Sequence, residues 1–140
     1  MPRPHIEPFC DRDVNFKNMI LPGFGTGFSY KTLSLDNETG ACSLTVQLSG
    51  GYQQPPGFSY SELEIMVVEG QIKLGDEVCN RGHYFFVPAG YALPALESEQ
   101  GAILLMMYNT SEPNHIESCD HHPLSRKELY HAVDSYKDIV

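Results

Sequence analysis

The stretch from Gly50 to Asn109 constrains the fold of this chain more than any other part of the sequence. It consists of short segments of alternating apolar and polar residues, with glycine or proline at nearly every corner. Glu77 to Asn80, for example, follows the hairpin turn Gly75-Asp76. Short strands with such corners are typical of a sandwich or a barrel that closes on itself. The sequence therefore predicts an all-β fold, a small antiparallel barrel with an inner pocket, over residues 29–109.

The alternation also predicts which side chains face the core. In the segment Ala41 to Ser49 every second residue is apolar, and these residues are Cys42, Leu44, Val46 and Leu48. A period of two over nine residues indicates a half-buried strand, so Cys42 is predicted to be a small core residue and not a nucleophile. The stretch GGYQQPPG is predicted to interrupt the sheet.

A second alternating segment begins at Phe58. It places Leu63, Ile65 and Val67 on one face, and Glu62, Glu64, Met66 and Val68 on the other. Gly70 is predicted to end this strand, and Gln71 to Leu74 to begin the next.

The two ends of the chain follow different patterns. Residues 1–28 are irregular and predict an arm and a loop, with one edge strand around Val14 to Asn18. Residues 110–140 begin with a polar loop and continue into the only predicted helix, from about Arg126 to Tyr136. A capping box formed by Ser125 and Glu128 marks its start. Its apolar stripe consists of Leu129, Val133 and Tyr136, and is predicted to pack on the barrel or on a second subunit.

Composition excludes several classes of function. Eighteen acidic and nine basic residues give a formal net charge of -9, which repels polyphosphate and argues against nucleic acid as a partner. No apolar run approaches the roughly 20 residues of a membrane helix, so no membrane association is expected. The chain also starts without an apolar signal core, which leads us to expect a cytoplasmic protein. The four cysteines form no CxxC pair and are predicted to be reduced thiols.

The corner residues of this stretch resemble those of the cupin family. The second cupin block matches Gly82-HYFFV-Pro88-Ala-Gly90-Tyr-Ala-Leu93, and the strand-end glycine of the first block matches Gly70. The segment YKTLSLDNETGACSLTVQLSGGY also resembles the chromate-resistance-regulator type of cupin. The resemblance implies a double-stranded antiparallel, RmlC-like jelly roll that is usually a homodimer. In active members, three histidines and one glutamate bind Fe, Mn, Zn or Ni inside the barrel.

The ligand positions that the resemblance points to carry other residues here. The glutamate position falls on Leu63, and the histidine of the second block falls on Leu93. The paired histidines fall within Pro55 to Ser61, which contains no histidine. A transition metal needs about three N, O or S donors, and leucine has none. We therefore expect no metal at the standard cupin site and predict no cofactor, with a divalent metal (Fe, Mn, Zn or Ni) at another site as the alternative.

Six residues are candidates for ligand binding. Four are aromatic residues expected to line the barrel mouth, Tyr60, Phe86, Tyr91 and Tyr108, and two are carboxylates beside the lost ligand position that a bulge would turn into the pocket, Glu62 and Glu64. The alternative for the aromatic residues is an ordinary core position, and for the two glutamates a solvated outer face. Tyr60 and His83 are candidates for acid–base catalysis, because the resemblance extends to metal-free epimerases that use such a pair. An exposed, structural His83 is the alternative.

The densest group of metal-ligating side chains lies in the loop before the predicted helix. It contains His115, Cys119, His121 and His122 in the spacing HxxxCxHH. This spacing matches no established metal motif, so the group is a candidate only for adventitious binding of Zn or Ni.

Three functional hypotheses follow. The first is a cupin that binds a small, partly apolar molecule as a sensor or carrier. The second is an enzyme, either a metal-dependent dioxygenase or hydrolase with ligands drawn from Glu62, Glu64 and His83, or a metal-free isomerase or lyase using Tyr60 and His83. The third is an assembly module that acts through its carboxy-terminal helix.

Overall fold

The computed structural model describes residues 3–18 and 26–109, and the backbone of residues 116–117. This part of the chain contains eleven strands and one 3-10 turn, Asp11–Asp13. The strands are β1 (Lys17–Asn18), β2 (Phe28–Leu35), β3 (Cys42–Leu48), β4 (Tyr52–Gln54), β5 (Gly57–Phe58), β6 (Leu63–Leu74), β7 (Glu77–Asn80), β8 (Tyr84–Val87), β9 (Leu96–Ser98), β10 (Ala102–Tyr108) and β11 (Ile116–Glu117). The predicted all-β class is confirmed.

The strands form one curled sheet in the order β1-β2-β3-β10-β6-β9-β4, in which β7 and β8 also pair with β6. Every pairing is antiparallel, and β11 pairs separately with β5. The order of the strands in space differs from their order in sequence, as expected for a jelly roll. The sheet therefore curls around one interior as a half-barrel.

β6 is the strand on which the two walls of this half-barrel meet. Its first part, Leu63–Met66, pairs with β8, and its last part, Gln71–Leu74, pairs with β7. Opposite β10 the register shifts between Ile103 and Leu104, which leaves Val68 as an extra residue in a β-bulge. A bulge bends a strand and increases its twist, so β6 passes from one wall to the other.

The prediction that Gly70 ends a strand is wrong, because β6 continues through it to Leu74. Gly70 has a φ of +82°, which a glycine adopts at little steric cost. A Cβ at this position would lie 2.5 Å from the carbonyl oxygen of Gly101. The glycine thus allows close approach of β6 and the turn before β10 while the strand continues.

The prediction that GGYQQPPG interrupts the sheet is also wrong. The segment contributes β4, which pairs with β9, and leads into β5. Tyr52 is among the most buried side chains of the core, with 1% of its surface exposed.

The core lies inside the curled sheet and follows the predicted alternation. Leu44, Val46 and Leu48 of β3 are buried, as are Ile65 and Val67 of β6. The predicted core position of Cys42 is confirmed, and Cys10, Cys42 and Cys79 are all free thiols. Burial raises the pKa of the Cys42 thiol, which keeps it protonated and unreactive.

The amino-terminal arm lies over the outer face of β2 and β3. Lys31 is buried on this face, donates a hydrogen bond of 2.8 Å to the Asp11 carbonyl oxygen, and lies 4.3 Å from the centroid of the Phe16 ring. The Arg3 guanidinium donates to Ser43 Oγ at 3.4 Å. The arm ends in β1, which pairs with β2 and confirms the predicted edge strand.

The predicted carboxy-terminal helix, Arg126 to Tyr136, lies outside the described residues. Within the described ranges, no helix has the length and apolar character needed to cross a membrane.

Candidate binding pocket inside the barrel

A cavity of about 30 Å³ lies in the middle of the half-barrel. Most of its wall is apolar, contributed by Phe28, Leu48, Leu63, Ile65, Val87, Leu93, Leu96, Leu104 and Met106. The remaining wall consists of the polar side chains Tyr52, Gln54, Ser59 and Tyr108. An apolar cavity with a few polar groups is the usual composition of a small-molecule site.

Strand register explains why these side chains converge. Tyr108 of β10 lies opposite Leu63 of β6, which in turn lies opposite Val87 of β8. Two residues further along, Met106 lies opposite Ile65. Because side chains on the same face of a sheet recur every second residue, both rows point to the interior.

Leu93 reaches the cavity from a loop and not from a strand. Two backbone hydrogen bonds hold the loop: the Leu93 amide donates to the Gly57 carbonyl at 2.7 Å, and the Gly57 amide donates back at 3.1 Å. This bridge fixes Leu93 at the edge of the cavity although it lies outside the regular strands.

The residues of the cavity wall do not fit the metal that the cupin fold implies. Leu63 and Leu93, at the ligand positions expected from the cupin resemblance, both line the cavity, and their side chains have no donor atoms. Among the described residues of the wall there is no imidazole, thiol or carboxylate, which are the side chains that usually bind transition metals. In residues 3–18 and 26–109, no three His, Cys, Asp or Glu side chains lie close enough together to hold a metal ion.

The polar groups of the cavity are neutral. Tyr52 donates a hydrogen bond of 2.7 Å from its hydroxyl to Gln54 Oε1. Burial raises the pKa of Tyr108 far above its usual value, and the neighbouring Cys42 and Tyr52 act in the same direction. Tyr108 therefore stays protonated at neutral pH, and the cavity favours an uncharged ligand.

Of the six predicted ligand-binding residues, only Tyr108 lines the cavity. Tyr60 is partly buried and packs edge-on against the Phe58 ring, with 5.5 Å between ring centroids. Glu62 is exposed, and Glu64 lies on the outer face of β6, where it accepts a hydrogen bond of 2.6 Å from the Tyr84 hydroxyl. The other two, Phe86 and Tyr91, are 50% and 39% exposed.

The two candidate catalytic residues lie at opposite ends of the pairing between β6 and β8. Tyr60 precedes Leu63, whereas the His83 carbonyl accepts a hydrogen bond from the Val67 amide. Leu63 and Val67 are four residues apart, about 13 Å along a strand. The His83 ring is exposed and its Nδ1 accepts from the Asn80 amide at 2.7 Å. The structure therefore does not bring Tyr60 and His83 together at one point.

Several cavity residues were not singled out from the sequence. Tyr52, Gln54 and Ser59 lie in or after GGYQQPPG, where two prolines and three glycines obscure the pattern of a strand. The only available signal was the alternation of Tyr52 and Gln54 over three residues, which is too short to predict a strand. The candidate adventitious metal ligands His115, Cys119, His121 and His122 lie outside the described residues.

Residues 24–128 match the family described as a domain of unknown function, DUF4437. The chain belongs to this family. The comparison with curated proteins finds no match.

Solved structures confirm the cupin fold. A protein of Nostoc punctiforme PCC 73102, described as a "putative dioxygenase", is 28% identical with a TM-score of 0.74, over 84% of this chain and 44% of that one. The chain thus spans less than half the length of that protein. The polyketide cyclase RemF of Streptomyces resistomycificus is 21% identical with a TM-score of 0.67, over 91% of this chain and 93% of its own. An RmlC-like cupin of Shewanella frigidimarina NCIMB 400 is 18% identical with a TM-score of 0.60, over 81% of this chain and 96% of its own.

Proposed function

We propose that this chain is a cupin that binds a small, uncharged, largely apolar molecule inside the barrel and acts as a sensor or carrier. One observation carries the proposal: Leu63 and Leu93, which the cupin resemblance places at metal-ligand positions, border an apolar cavity with neutral polar groups. A wall of this kind favours apolar contact and hydrogen bonding over ion binding.

The size of the cavity limits how the ligand is accommodated. A volume of about 30 Å³ has room for a water molecule or two, so a larger ligand has to displace wall side chains. Met106 and the loop residue Leu93 are the wall positions best suited to move, because methionine has three rotatable side-chain bonds and Leu93 lies outside the strands.

The similarity to a polyketide cyclase supports testing this chemistry first. We propose an aromatic polyketide as the first probe and indole as a smaller one, with binding measured by titration calorimetry. Leu93→Phe adds volume inside the cavity and is expected to weaken binding on the order of tenfold, the loss that a steric clash of about 1.4 kcal/mol produces. Val68→Phe, on the outer face of the same barrel, is the matched control and leaves binding unchanged. Equal affinity of both variants, or no binding by the unaltered protein, contradicts the proposal.

A second candidate function is enzymatic, and it is supported by the relatives described as a dioxygenase and a cyclase. The metal-dependent version, with ligands from Glu62, Glu64 and His83, requires a rearrangement, because no three His, Cys, Asp or Glu side chains in residues 3–18 and 26–109 lie close enough together to hold a metal ion. The metal-free version, an isomerase or lyase using Tyr60 and His83, also requires a rearrangement, because the structure does not bring the two side chains together. Mass spectrometry of the bound probe after incubation distinguishes binding from turnover, and repetition with a chelator separates the two enzymatic versions. The outward position of Glu64 and the exposure of His83 favour the binding function.

We further propose a cytoplasmic homodimer with the small molecule as its main partner and no nucleic acid or membrane partner. The acidic net charge of -9 supports the exclusion of nucleic acid. Light scattering across a range of concentrations tests the dimer, and a mass equal to one chain throughout contradicts it.

A further inference from the structure

The Tyr108 hydroxyl is a polar group of the cavity wall that makes no hydrogen bond to any described residue. The side chain is buried, with 5% of its surface exposed. Every fully enclosed side-chain nitrogen or oxygen among the described residues does have a hydrogen-bond partner. The hydroxyl is therefore not sealed in by its neighbours, and the open space that it borders is the cavity that its side chain lines.

The other polar side chains of the wall are already engaged. The Tyr52 hydroxyl donates its proton to Gln54 Oε1 at 2.7 Å, and Ser59 Oγ accepts from the Ser61 amide at 3.1 Å. Buried polar groups in native proteins nearly always have a partner, because leaving one without a partner costs stability. Among the described wall residues, Tyr108 is thus the one whose O–H is left for a bound molecule.

The strand that carries this hydroxyl fixes its position. In β10, Tyr108 lies between Leu63 of β6 and Cys42 of β3 and is opposite both. The next residue, Asn109, accepts a hydrogen bond through Oδ1 from the Glu62 amide at 2.8 Å. These contacts hold the end of β10 in place, so a ligand meets a donor that needs little ordering on binding.

The chemistry of the wall limits what this donor can bind. Because burial raises the pKa of Tyr108, its hydroxyl stays protonated and can donate to an acceptor. An alcohol or amide brings an O–H or N–H of its own into a mostly apolar wall, where an unpaired donor is costly. A carboxylate brings a charge that no described wall residue compensates. A carbonyl group has an acceptor and no donor, so it suits this site best.

We infer that the ligand is a neutral ketone or aldehyde whose carbonyl oxygen accepts a hydrogen bond from Tyr108, while its apolar part packs on Leu63, Leu93 and Met106. The inference rests on the proposed binding function and adds the chemical class of the ligand. Even a small ketone exceeds the cavity of about 30 Å³, so its apolar part requires the displacement of wall side chains described above.

A matched pair of probes tests the inference. Cyclohexanone and methylenecyclohexane have nearly the same shape, but only the ketone has an acceptor oxygen. Their affinities are measured by nuclear magnetic resonance titration of the unaltered protein and of Tyr108→Phe, which removes the hydroxyl and keeps the ring. We expect Tyr108→Phe to weaken cyclohexanone binding on the order of tenfold through the loss of one hydrogen bond, and to leave methylenecyclohexane binding unchanged.

The outcomes separate this inference from the proposed function. Cyclohexanone binding that is no weaker in Tyr108→Phe, or a loss shared equally by both probes, overturns the inference and leaves the binding function standing. The same holds if neither probe binds the unaltered protein while indole does. If indole also fails to bind, the proposed function is contradicted and the inference is overturned with it.

The carbonyl stretching band of bound cyclohexanone gives a second readout, which a change in packing alone does not reproduce. A hydrogen bond to a carbonyl oxygen lowers its stretching frequency, so isotope-edited infrared spectra should show the band at higher frequency in Tyr108→Phe. Tyr84→Phe is the matched control, because Tyr84 is exposed on the outer face and donates to Glu64; it should leave the band unchanged. An identical band in the unaltered protein and in Tyr108→Phe overturns the inference.

Discussion

The two faces of β6 show how one strand serves two environments. On the inner face Leu63, Ile65 and Val67 are at most 6% exposed and border the cavity or the core. On the outer face Met66 and Val68 are 39% and 46% exposed although they are equally apolar. Hydrophobicity alone therefore does not decide burial here; the curl of the sheet does. The inner face lines the cavity of the proposed binding site, and the outer face is an exposed apolar surface.

The largest expected difference between the two faces is the loss of unfolding free energy when a side chain is truncated. Two adjacent leucines of β10, Leu104 and Leu105, allow this comparison. Leu104 points inward and is 1% exposed, whereas Leu105 points outward and is partly buried. Leu104→Ala leaves a cavity in the core and should lower the free energy of unfolding by about 2–5 kcal/mol. Leu105→Ala should lower it by less than about 1 kcal/mol, because surface changes are usually small. Urea unfolding measures both, and similar losses would contradict the assignment of the faces.

Two glycines with positive φ, Gly70 and Gly82, separate the cost of a close backbone approach from the cost of backbone strain near the bend of β6. Gly70→Ala combines an unfavourable φ of +82° with a Cβ 2.5 Å from the Gly101 carbonyl oxygen, and should cost about 2–4 kcal/mol. Gly82→Ala has a similar φ of +91° but no atom within 4 Å, so only the backbone strain of about 1–2 kcal/mol remains. Thermal unfolding of the two variants compares them. A loss for Gly82→Ala as large as that for Gly70→Ala would show that the close approach contributes nothing.

The smallest effect concerns two tyrosines, one on each face, and appears only at alkaline pH. Burial raises the pKa of Tyr108, whereas the pKa of the exposed Tyr84 is raised mainly by its hydrogen bond to Glu64. A tyrosine with a raised pKa in the fold stabilises it fully below the unfolded pKa of about 10, and this contribution is lost as the pH rises above that value.

Between pH 9 and pH 11 the free energy of unfolding should therefore fall by about 1 kcal/mol more in the unaltered protein than in Tyr108→Phe. Tyr84→Phe should change this slope less, because solvent screens the interaction at an exposed site. Urea unfolding at several pH values provides the measurement. An identical slope in Tyr108→Phe and the unaltered protein would contradict the burial of a neutral Tyr108.

The sequence predicted the faces of the barrel better than it predicted the site. The alternation in β3 and in the first half of β6 identified the inward residues, because a buried face repeats every second residue. The course of β6 through Gly70 and the strands within GGYQQPPG were missed, because glycine and proline also mark turns and only pairing with distant strands distinguishes the two.

The site was the harder part for a similar reason. Tyr108 was placed among the candidates and lines the cavity, whereas Glu64 and Phe86 lie outside it. Their outward direction follows from the alternation itself, but the distance between Tyr60 and His83 depends on register across two strands. The register became known only from the structure. The replacement of metal ligands by Leu63 and Leu93 stays a prediction from the cupin resemblance; the structure shows only that both leucines line the cavity.

Elemental analysis tests the central claim most directly. The protein is purified without chelator in a variant in which His115, Cys119, His121 and His122 are replaced by alanine, so that only the rest of the chain is available to hold metal. Because leucine stands at the cupin ligand positions, the account predicts Fe, Mn, Zn and Ni well below one ion per chain. One equivalent of any of these metals per chain, retained through gel filtration, would contradict it.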